Sequence, residues 1–315
     1  MINKKAIIFG IKSTTLNSKE KKFLKKCKPW GIILFSRNIV SINQLKNLVC
    51  DLKKTLNDKK LPILIDEEGG KVSRLNKIMD FSIFSQEYFY KIYKKNKKQF
   101  FNFYKIYVDS VCDILNHAGI NINTVPVLDV IRQNSHEIIG SRSFSKKPLE
   151  ASFFGKVCID LYSRNKVATV TKHIPGHGMA NKDSHFATPI INENKKNLIK
   201  KDFFPFIKKK SFFAMTAHAV YKVYDNNVAT HSETVIKKVI RKHIKFKGIL
   251  ISDDISMKSL KLNLESNALK ALQAGCNLVL HCNGNLREMN RLSKVIPKIN
   301  KFTQLKTSQF YKFLG

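Results

Sequence analysis

Short apolar runs rich in β-branched residues recur along the chain, and the segments between them are long enough to form helices. The runs lack the alternation of a half-exposed strand, which is typical of parallel strands that are buried on both faces. Eight such runs are present, at residues 6–9, 31–35, 62–65, 122–128, 167–170, 212–216, 248–251 and 278–280. Eight strands that alternate with helices predict an α/β fold, and specifically a single (β/α)₈ TIM-type barrel.

The segment 100–117 illustrates the helical spacing between the runs. Phe103, Tyr107, Val111 and Leu115 recur with a period near four, and Gly119 follows where a helix commonly ends in the left-handed conformation. No internal repeat or composition shift divides the chain. We therefore predict one catalytic barrel over residues 1–290, followed at 291–315 by a C-terminal helix or tail that packs on the barrel or extends from it.

The chain is strongly basic. Its 315 residues contain 57 Lys and Arg against 23 Asp and Glu, a formal net charge of +34. Such an excess attracts polyanions. The lysines are nevertheless spread along the whole chain in short runs, and this favours a diffusely basic, solvated surface over a dedicated nucleic-acid site.

The six cysteines form no C-x-x-C pair, and most of them lie in apolar runs. Reduced thiols in a reducing compartment fit this pattern. The first apolar stretch is shorter than a secretory signal, and no segment approaches the ~20 apolar residues that span a bilayer. The sequence therefore predicts a cytoplasmic protein without a membrane span.

Polar residues directly follow most of the apolar runs. In a β/α barrel the carboxyl ends of the strands meet on one face, where active sites are built. Loops are polar in any fold, but Lys, His and paired Asp are less usual there than Gly, Asn or Ser. The residues in question are Ser36, Arg37, Asp66, Asp129, Lys172, His173, His218, Asp253, Asp254 and His281.

Candidate catalytic residues are most closely spaced between Lys172 and His185, where Pro and Gly residues disfavour a helix. One interpretation is a metal site, since His173, His177, Asp183 and His185 are all possible ligands. Another is that these histidines only satisfy a buried loop. We favour a third interpretation, in which the carboxylate of Asp183 orients the imidazole of His185 for proton transfer. This predicts a catalytic site without a metal or other cofactor.

Carboxylates follow the third and seventh runs as well. Asp253 is the first carboxylate beyond the seventh run, where an ionised Asp is placed to act as a nucleophile, whereas Asp254 suits a helix N-cap. The third run leads into Asp-Glu-Glu-Gly-Gly at 66–70, a turn suited to close approach of a polyhydroxylated ligand. Arg142 is a further candidate to hydrogen-bond such a ligand.

Together these motifs resemble the family-3 glycoside hydrolases, in particular their short, single-domain NagZ-type β-N-acetylglucosaminidases. The similar segments occur in the family's order over most of the chain. They are IDEEGGKVSR at 65–74, PVLDV at 126–130, IGSRSF at 139–144, KHIPGHG at 172–178 with DSH at 183–185, MTAHAVY at 215–221, GILISDDISM at 248–257 and QAGCNLVL at 273–280.

The resemblance implies a role for each matching residue. Asp253 would be the nucleophile that forms a covalent glycosyl-enzyme, and His185, oriented by Asp183, would be the acid/base. His177 would shape the loop. The sugar-binding set would be Asp66, Arg74, Arg142, Lys172 and His173. The resemblance also implies a monomer that releases terminal β-linked N-acetylglucosamine from muropeptides during peptidoglycan recycling.

Three positions depart from the family's pattern: Ser141 stands where Asp or Glu is usual, Lys71 where Arg is usual, and Asn277 where Asp is usual. These departures put the placement of Arg142 and the closure of the barrel in doubt. Two other functions stay open. One is a phosphorylase that uses the same residues with phosphate as acceptor, and the other is a non-catalytic, nucleic-acid-binding barrel.

Overall fold

A computed structural model describes residues 3–132, 139–179 and 187–315. Eight parallel strands close into a barrel, in which each strand pairs with two neighbours in the order β1-β10-β9-β7-β5-β4-β3-β2. These strands are β1 (Lys5–Gly10), β2 (Pro29–Leu34), β3 (Ile63–Ile65), β4 (Ile122–Asn123), β5 (Ala168–Ile174), β7 (Phe213–Thr216), β9 (Ile249–Asp254) and β10 (Leu278–His281). A separate two-stranded sheet pairs β6 (Ile190–Ile191) with β8 (Val220–Tyr221).

Helices surround the barrel. The α-helices are α1 (Ser18–Cys27), α2 (Ile42–Leu56), α3 (Gln86–Lys95), α4 (Lys97–Ala118), α5 (Pro148–Arg164), α6 (Lys195–Asn197), α7 (Leu264–Ala274), α8 (Leu286–Val295) and α9 (Lys301–Leu314). Segments of π-helix cover Leu198–Asp202 and Val235–His243. Short 3₁₀ turns are formed by Ser36–Asn38, Gly140–Arg142, Phe204–Phe206 and Ala229–His231.

The predicted (β/α)₈ barrel is confirmed, and each of the eight apolar runs overlaps one barrel strand. The fourth run differs in length, since β4 ends at Asn123 whereas the apolar pattern continues to residue 128. Pro126 has no amide hydrogen to donate, but its carbonyl accepts the amide of Lys172, and the Leu128 amide donates to the Lys172 carbonyl. Pairing with β5 therefore resumes after the interruption.

Helix α4 contains the predicted segment, and Gly119 ends it in the left-handed conformation with φ 80°. Tyr107, Val111 and Leu115 are buried, whereas Phe103 is 49% exposed. A spacing of four drifts around a helix of 3.6 residues per turn, so the first member of the row leaves the buried face.

Helix α9 covers the amino-terminal end of the barrel. Its Thr307 hydroxyl accepts a hydrogen bond from the Trp30 indole at 2.9 Å, and the ring of Phe310 packs against Phe213 from β7. Tyr311 donates to Asp58, which also binds Lys4 next to β1. Helix α9 thus leaves the carboxyl-terminal end of the barrel uncovered.

Over the three described stretches, the structure contains no helix with the length and apolarity required to cross a bilayer.

Candidate active site

A pocket of about 130 Å³ opens at the carboxyl ends of the barrel strands. Seven of the nine predicted site residues line it, namely Asp66, Arg74, Arg142, Lys172, His173, His177 and Asp253. Val72, Ile139, Met215, Leu280, Cys282 and the unpredicted Glu68 complete the lining. The other two predicted residues, Asp183 and His185, lie outside the described residues.

Lys172 is the central cation of the pocket. It extends from β5 and is buried, and its ammonium group lies 3.1 Å from Asp66 Oδ1 and donates to Thr124 Oγ1 at 2.8 Å. Burial alone would raise the pKa of Asp66, but Lys172 and Arg74 outweigh it and lower that pKa. Asp66 is therefore an ionised carboxylate at the pocket wall, suited to accept hydrogen bonds from hydroxyl groups.

Glu68 joins two cationic residues of the predicted binding set, Arg142 and Lys172. Its carboxylate accepts two parallel hydrogen bonds from Arg142, at 2.7 and 2.9 Å, and lies 2.6 Å from Lys172 Nζ. Burial opposes its ionisation, yet both cations hold the pKa of Glu68 far below its usual value. Sequence reasoning missed this residue, although it stands two positions after Asp66 in an acidic run.

Glu67 organises the turn that carries these groups. It is buried and accepts backbone amides from Gly69, Arg74 and Leu75 at 3.1, 2.7 and 3.0 Å. Gly69 has φ 73°, and a Cβ there would lie 2.3 Å from the Phe84 carbonyl oxygen. The turn thus places Arg74, whose Nη2 is 3.9 Å from Asp66, at the rim.

Replacing Glu68 by Gln is expected to weaken substrate binding and stability together. The amide cannot neutralise Arg142 and Lys172, and breaking a buried pair from one side costs about 3–5 kcal/mol. We expect KM to rise by about tenfold or more, with a lower urea midpoint. Glu87→Gln, which removes an exposed carboxylate on α3, is the matched control. Unchanged KM and midpoint in Glu68→Gln would show that the carboxylate does not hold the two cations.

Asp129 binds the end of β5 and the segment after it, through His173 and His177. Its Oδ2 lies 2.7 Å from His173 Nδ1, and its Oδ1 accepts the His177 amide at 2.6 Å. Burial alone would raise the pKa of Asp129, but the neighbouring His173 outweighs burial and lowers that pKa. A carboxylate on Nδ1 keeps the proton on that nitrogen and leaves Nε2 of His173 available to the pocket.

Asp129→Asn is expected to raise KM more than it lowers kcat, because the amide still accepts one main-chain hydrogen bond but no longer fixes the imidazole tautomer. The pH profile of kcat/KM should change as well, since the variant lacks the Asp129 carboxylate, whose pKa is lowered in the wild type. Kinetics from pH 5 to 8 for wild type and variant measure both effects, with the exposed Asp160→Asn on α5 as control. A variant with the wild-type profile and KM would leave Asp129 with a packing role only.

Asp253 is the penultimate residue of β9 and lines the pocket. Its Oδ1 accepts the Asp254 amide at 2.8 Å. Burial would raise its pKa, but His218, His173, that amide and Lys172 together lower it, so the carboxylate is ionised at neutral pH. Asp254 instead accepts the amide and hydroxyl of Ser256. The expectation that Asp254 caps a helix was wrong, because α7 begins only at Leu264, with Asn263 as its cap.

His177 lies beside His173, with ring centroids 5.8 Å apart. Burial and then repulsion by His173 lower the pKa of His177 to about 4, so its imidazole is neutral. Neither ring nitrogen has a hydrogen-bond partner in the described stretches, whereas its main-chain amide is bound by Asp129. We keep the loop-shaping role of His177 as a proposal, supported by that main-chain contact.

Two of the positions that differ from the family's pattern, Ser141 and Asn277, fit into the structure as follows. Arg142 follows Ser141 in a 3₁₀ turn, and Glu68 holds the Arg142 guanidinium. Asn277 Oδ1 accepts hydrogen bonds from Arg241 and from the Leu250 amide, both at 2.8 Å. An amide oxygen therefore links β9 to the segment before β10.

The described residues contain no group of three or more His, Cys, Asp or Glu side chains arranged to hold a metal ion. The metal set considered from the sequence includes Asp183 and His185, which lie outside those residues. The pocket that is described offers carboxylates already bound to Lys172, Arg142 and His173.

Comparison with known proteins finds similarity over most of the chain. The model of the family described as the glycosyl hydrolase family 3 N-terminal domain matches residues 1–309. The β-hexosaminidase of Idiomarina loihiensis is 31% identical over 302 residues, covering 92% of this chain and 88% of that protein. The β-hexosaminidase of Psychromonas ingrahamii is 33% identical over 294 residues, covering 88% of this chain and 82% of that protein.

A solved structure is similar over almost the whole chain. NagZ from Neisseria gonorrhoeae, in complex with N-trifluoroacetyl-D-glucosamine, superposes with a TM-score of 0.87 at 27% identity. The match covers 98% of this chain and 90% of that structure.

Proposed function

The chain belongs to glycosyl hydrolase family 3, and we propose that it is a retaining β-N-acetylhexosaminidase that removes terminal β-linked N-acetylglucosamine from muropeptides. The observation that carries this proposal is the pocket in which the ionised carboxylate of Asp253 faces a ring of polar and cationic groups. Such a pocket suits a sugar whose anomeric carbon is presented to a carboxylate.

We assign the chemistry in two displacements. Asp253 attacks the anomeric carbon to form a covalent glycosyl-enzyme, while His185 protonates the departing glycosidic oxygen. His185 then accepts a proton from water as the water releases the sugar from Asp253, with overall retention. Asp183 would orient His185 and stabilise its cation. An imidazole partner also avoids the repulsion between two carboxylates in one small pocket.

The sugar-binding assignment rests on the pocket's charge arrangement. Asp66 is held ionised and is placed to accept from hydroxyl groups, while Lys172 and Arg142 keep donors beside it. His173 is fixed through Nδ1 by Asp129, which leaves its other nitrogen for the ligand. The ligand of the Neisseria NagZ structure, an N-acylated glucosamine analogue, supports a 2-acetamido sugar for this chain as well.

The compartment in this proposal is the bacterial cytoplasm, where muropeptide fragments would be recycled by a monomeric enzyme. All six cysteines are unpaired, and Cys27, Cys112, Cys158 and Cys276 are buried, which fits a reducing environment. The proposed steps use only side chains of the protein and water.

Product analysis tests the function. The full-length protein would be incubated with N-acetylglucosaminyl-anhydromuramyl peptides, and the products identified by mass spectrometry. We expect free N-acetylglucosamine and the anhydromuramyl peptide, with the β-anomer of the sugar appearing first by NMR. Release of no N-acetylglucosamine would contradict the assignment, and formation of the sugar 1-phosphate when phosphate is added would indicate the phosphorylase reaction instead.

A further inference from the structure

A second, chemically distinct hollow lies at the amino-terminal end of the barrel, opposite the catalytic pocket. It measures about 470 Å³ and is formed by the segments that precede β7 and β9 together with α9. Six of its ten lining residues are lysines, namely Lys208, Lys209, Lys210, Lys245, Lys247 and Lys306. Ser211, Phe212, Gly248 and Gln309 complete the wall.

No carboxylate lines this hollow in the described part of the chain, and none of its six lysines forms an ion pair there. A neighbouring hollow at the same end of the barrel differs in this respect, because its Lys4 forms an ion pair with Asp58 at 2.5 Å. Six lysines around one depression repel one another in a protein that already carries a net charge of +34. An anion in the hollow would relieve that repulsion.

Two of the lysines are fixed by an unusual backbone. Lys208 and Lys245 adopt left-handed conformations, with φ 54° and 61°, at positions where Gly or Asn costs less. Lys209 donates to Ser152 at 2.7 Å, and burial, followed by repulsion from Lys156, lowers its pKa to about 8. These lysines therefore belong to segments that lead directly into the barrel strands β7 and β9.

We propose that this hollow binds a compact soluble anion with several phosphate groups. Lysine ammonium groups are point charges that bind phosphate oxygens without the planar geometry that arginine imposes. An anion of several charges neutralises several of the six lysines at once. Among the described residues that line the hollow, Phe212 is the only aromatic one, and its ring packs against Phe310 and Phe313. This described lining therefore offers no free ring on which a nucleic-acid base would stack.

Calorimetric titration of the full-length protein with inorganic tripolyphosphate at low salt tests this site. We expect saturable binding of one tripolyphosphate per chain, weaker binding of orthophosphate, and loss of affinity as salt is raised. The test variant is Lys208→Asn/Lys210→Gln/Lys245→Asn/Lys247→Gln, in which Asn suits both left-handed positions. Its affinity should fall by about tenfold or more, while its thermal midpoint and catalytic activity stay close to wild type.

The matched control is Lys19→Gln/Lys22→Gln/Lys95→Gln/Lys98→Gln, which removes the same charge from exposed sites on α1, α3 and α4. We expect it to keep the wild-type affinity within about threefold, because screened charges act over about 10 Å. Equal losses in the two variants would assign the binding to the basic surface as a whole and overturn the site. The same conclusion would follow if single-stranded RNA or anionic lipid vesicles bound to saturation and tripolyphosphate failed to displace them.

Discussion

Replacing Asp253 by Asn is expected to lower kcat by at least about a thousandfold while leaving the fold unchanged. The amide has almost the size of the carboxylate and still accepts the hydrogen bond of the Asp254 amide. It carries no charge with which to attack the anomeric carbon. Because His218, His173 and Lys172 favour the ionised form of Asp253, the substitution removes a charge that is present throughout the neutral pH range.

The control lies one residue away in the same strand. Asp254→Asn makes the same chemical change in a carboxylate that holds Ser256 instead of facing the pocket. We expect it to change kcat by about tenfold or less. Steady-state kinetics on an aryl β-N-acetylglucosaminide, with circular dichroism to verify folding, compare the two variants. Wild-type turnover in Asp253→Asn, or equal losses in both variants, would remove Asp253 from the role of nucleophile.

The barrel was predictable because its signal is regular and local. Each buried strand needs only a short β-branched run, and closure of the barrel follows from the number of runs. The length of β4 was not predictable in the same way. Pro126 interrupts the strand although the residues around it remain apolar and buried.

The candidate site was only partly predictable, for a related reason. Asp66 directly follows an apolar run, and Lys172 and Asp253 each stand two residues beyond one. Their position on the carboxyl-terminal face therefore follows from the barrel itself. Glu68 and Asp129 act through partners 74 and 44 residues away, Arg142 and His173 respectively. A single sequence carries no signal for such pairings, and only the folded chain brings them together.

Replacing His185 by Ala is expected to slow the enzyme in proportion to how much its leaving group needs a proton. If His185 is the acid, its loss should reduce glycosylation by about a hundredfold or more for an anhydromuramyl sugar, whose alkoxide is a poor leaving group. An aryl glycoside with an acidic phenol departs without protonation and should keep much of its glycosylation rate. Deglycosylation should slow for both substrates, because the same imidazole then activates water.

Asp183→Ala should give a milder version of this pattern, because Asp183 would orient the imidazole without touching the substrate. The experiment compares pre-steady-state and steady-state rates across leaving-group pKa for wild type, both variants and His117→Ala, which removes an exposed histidine on α4. The slope of log rate against leaving-group pKa should become steeper in His185→Ala and stay at the wild-type value in His117→Ala. An acid that protonates the leaving group must matter most where that group is least stable as an anion. Equal losses of glycosylation for good and poor leaving groups would therefore contradict the acid/base role and leave His185 with a structural one.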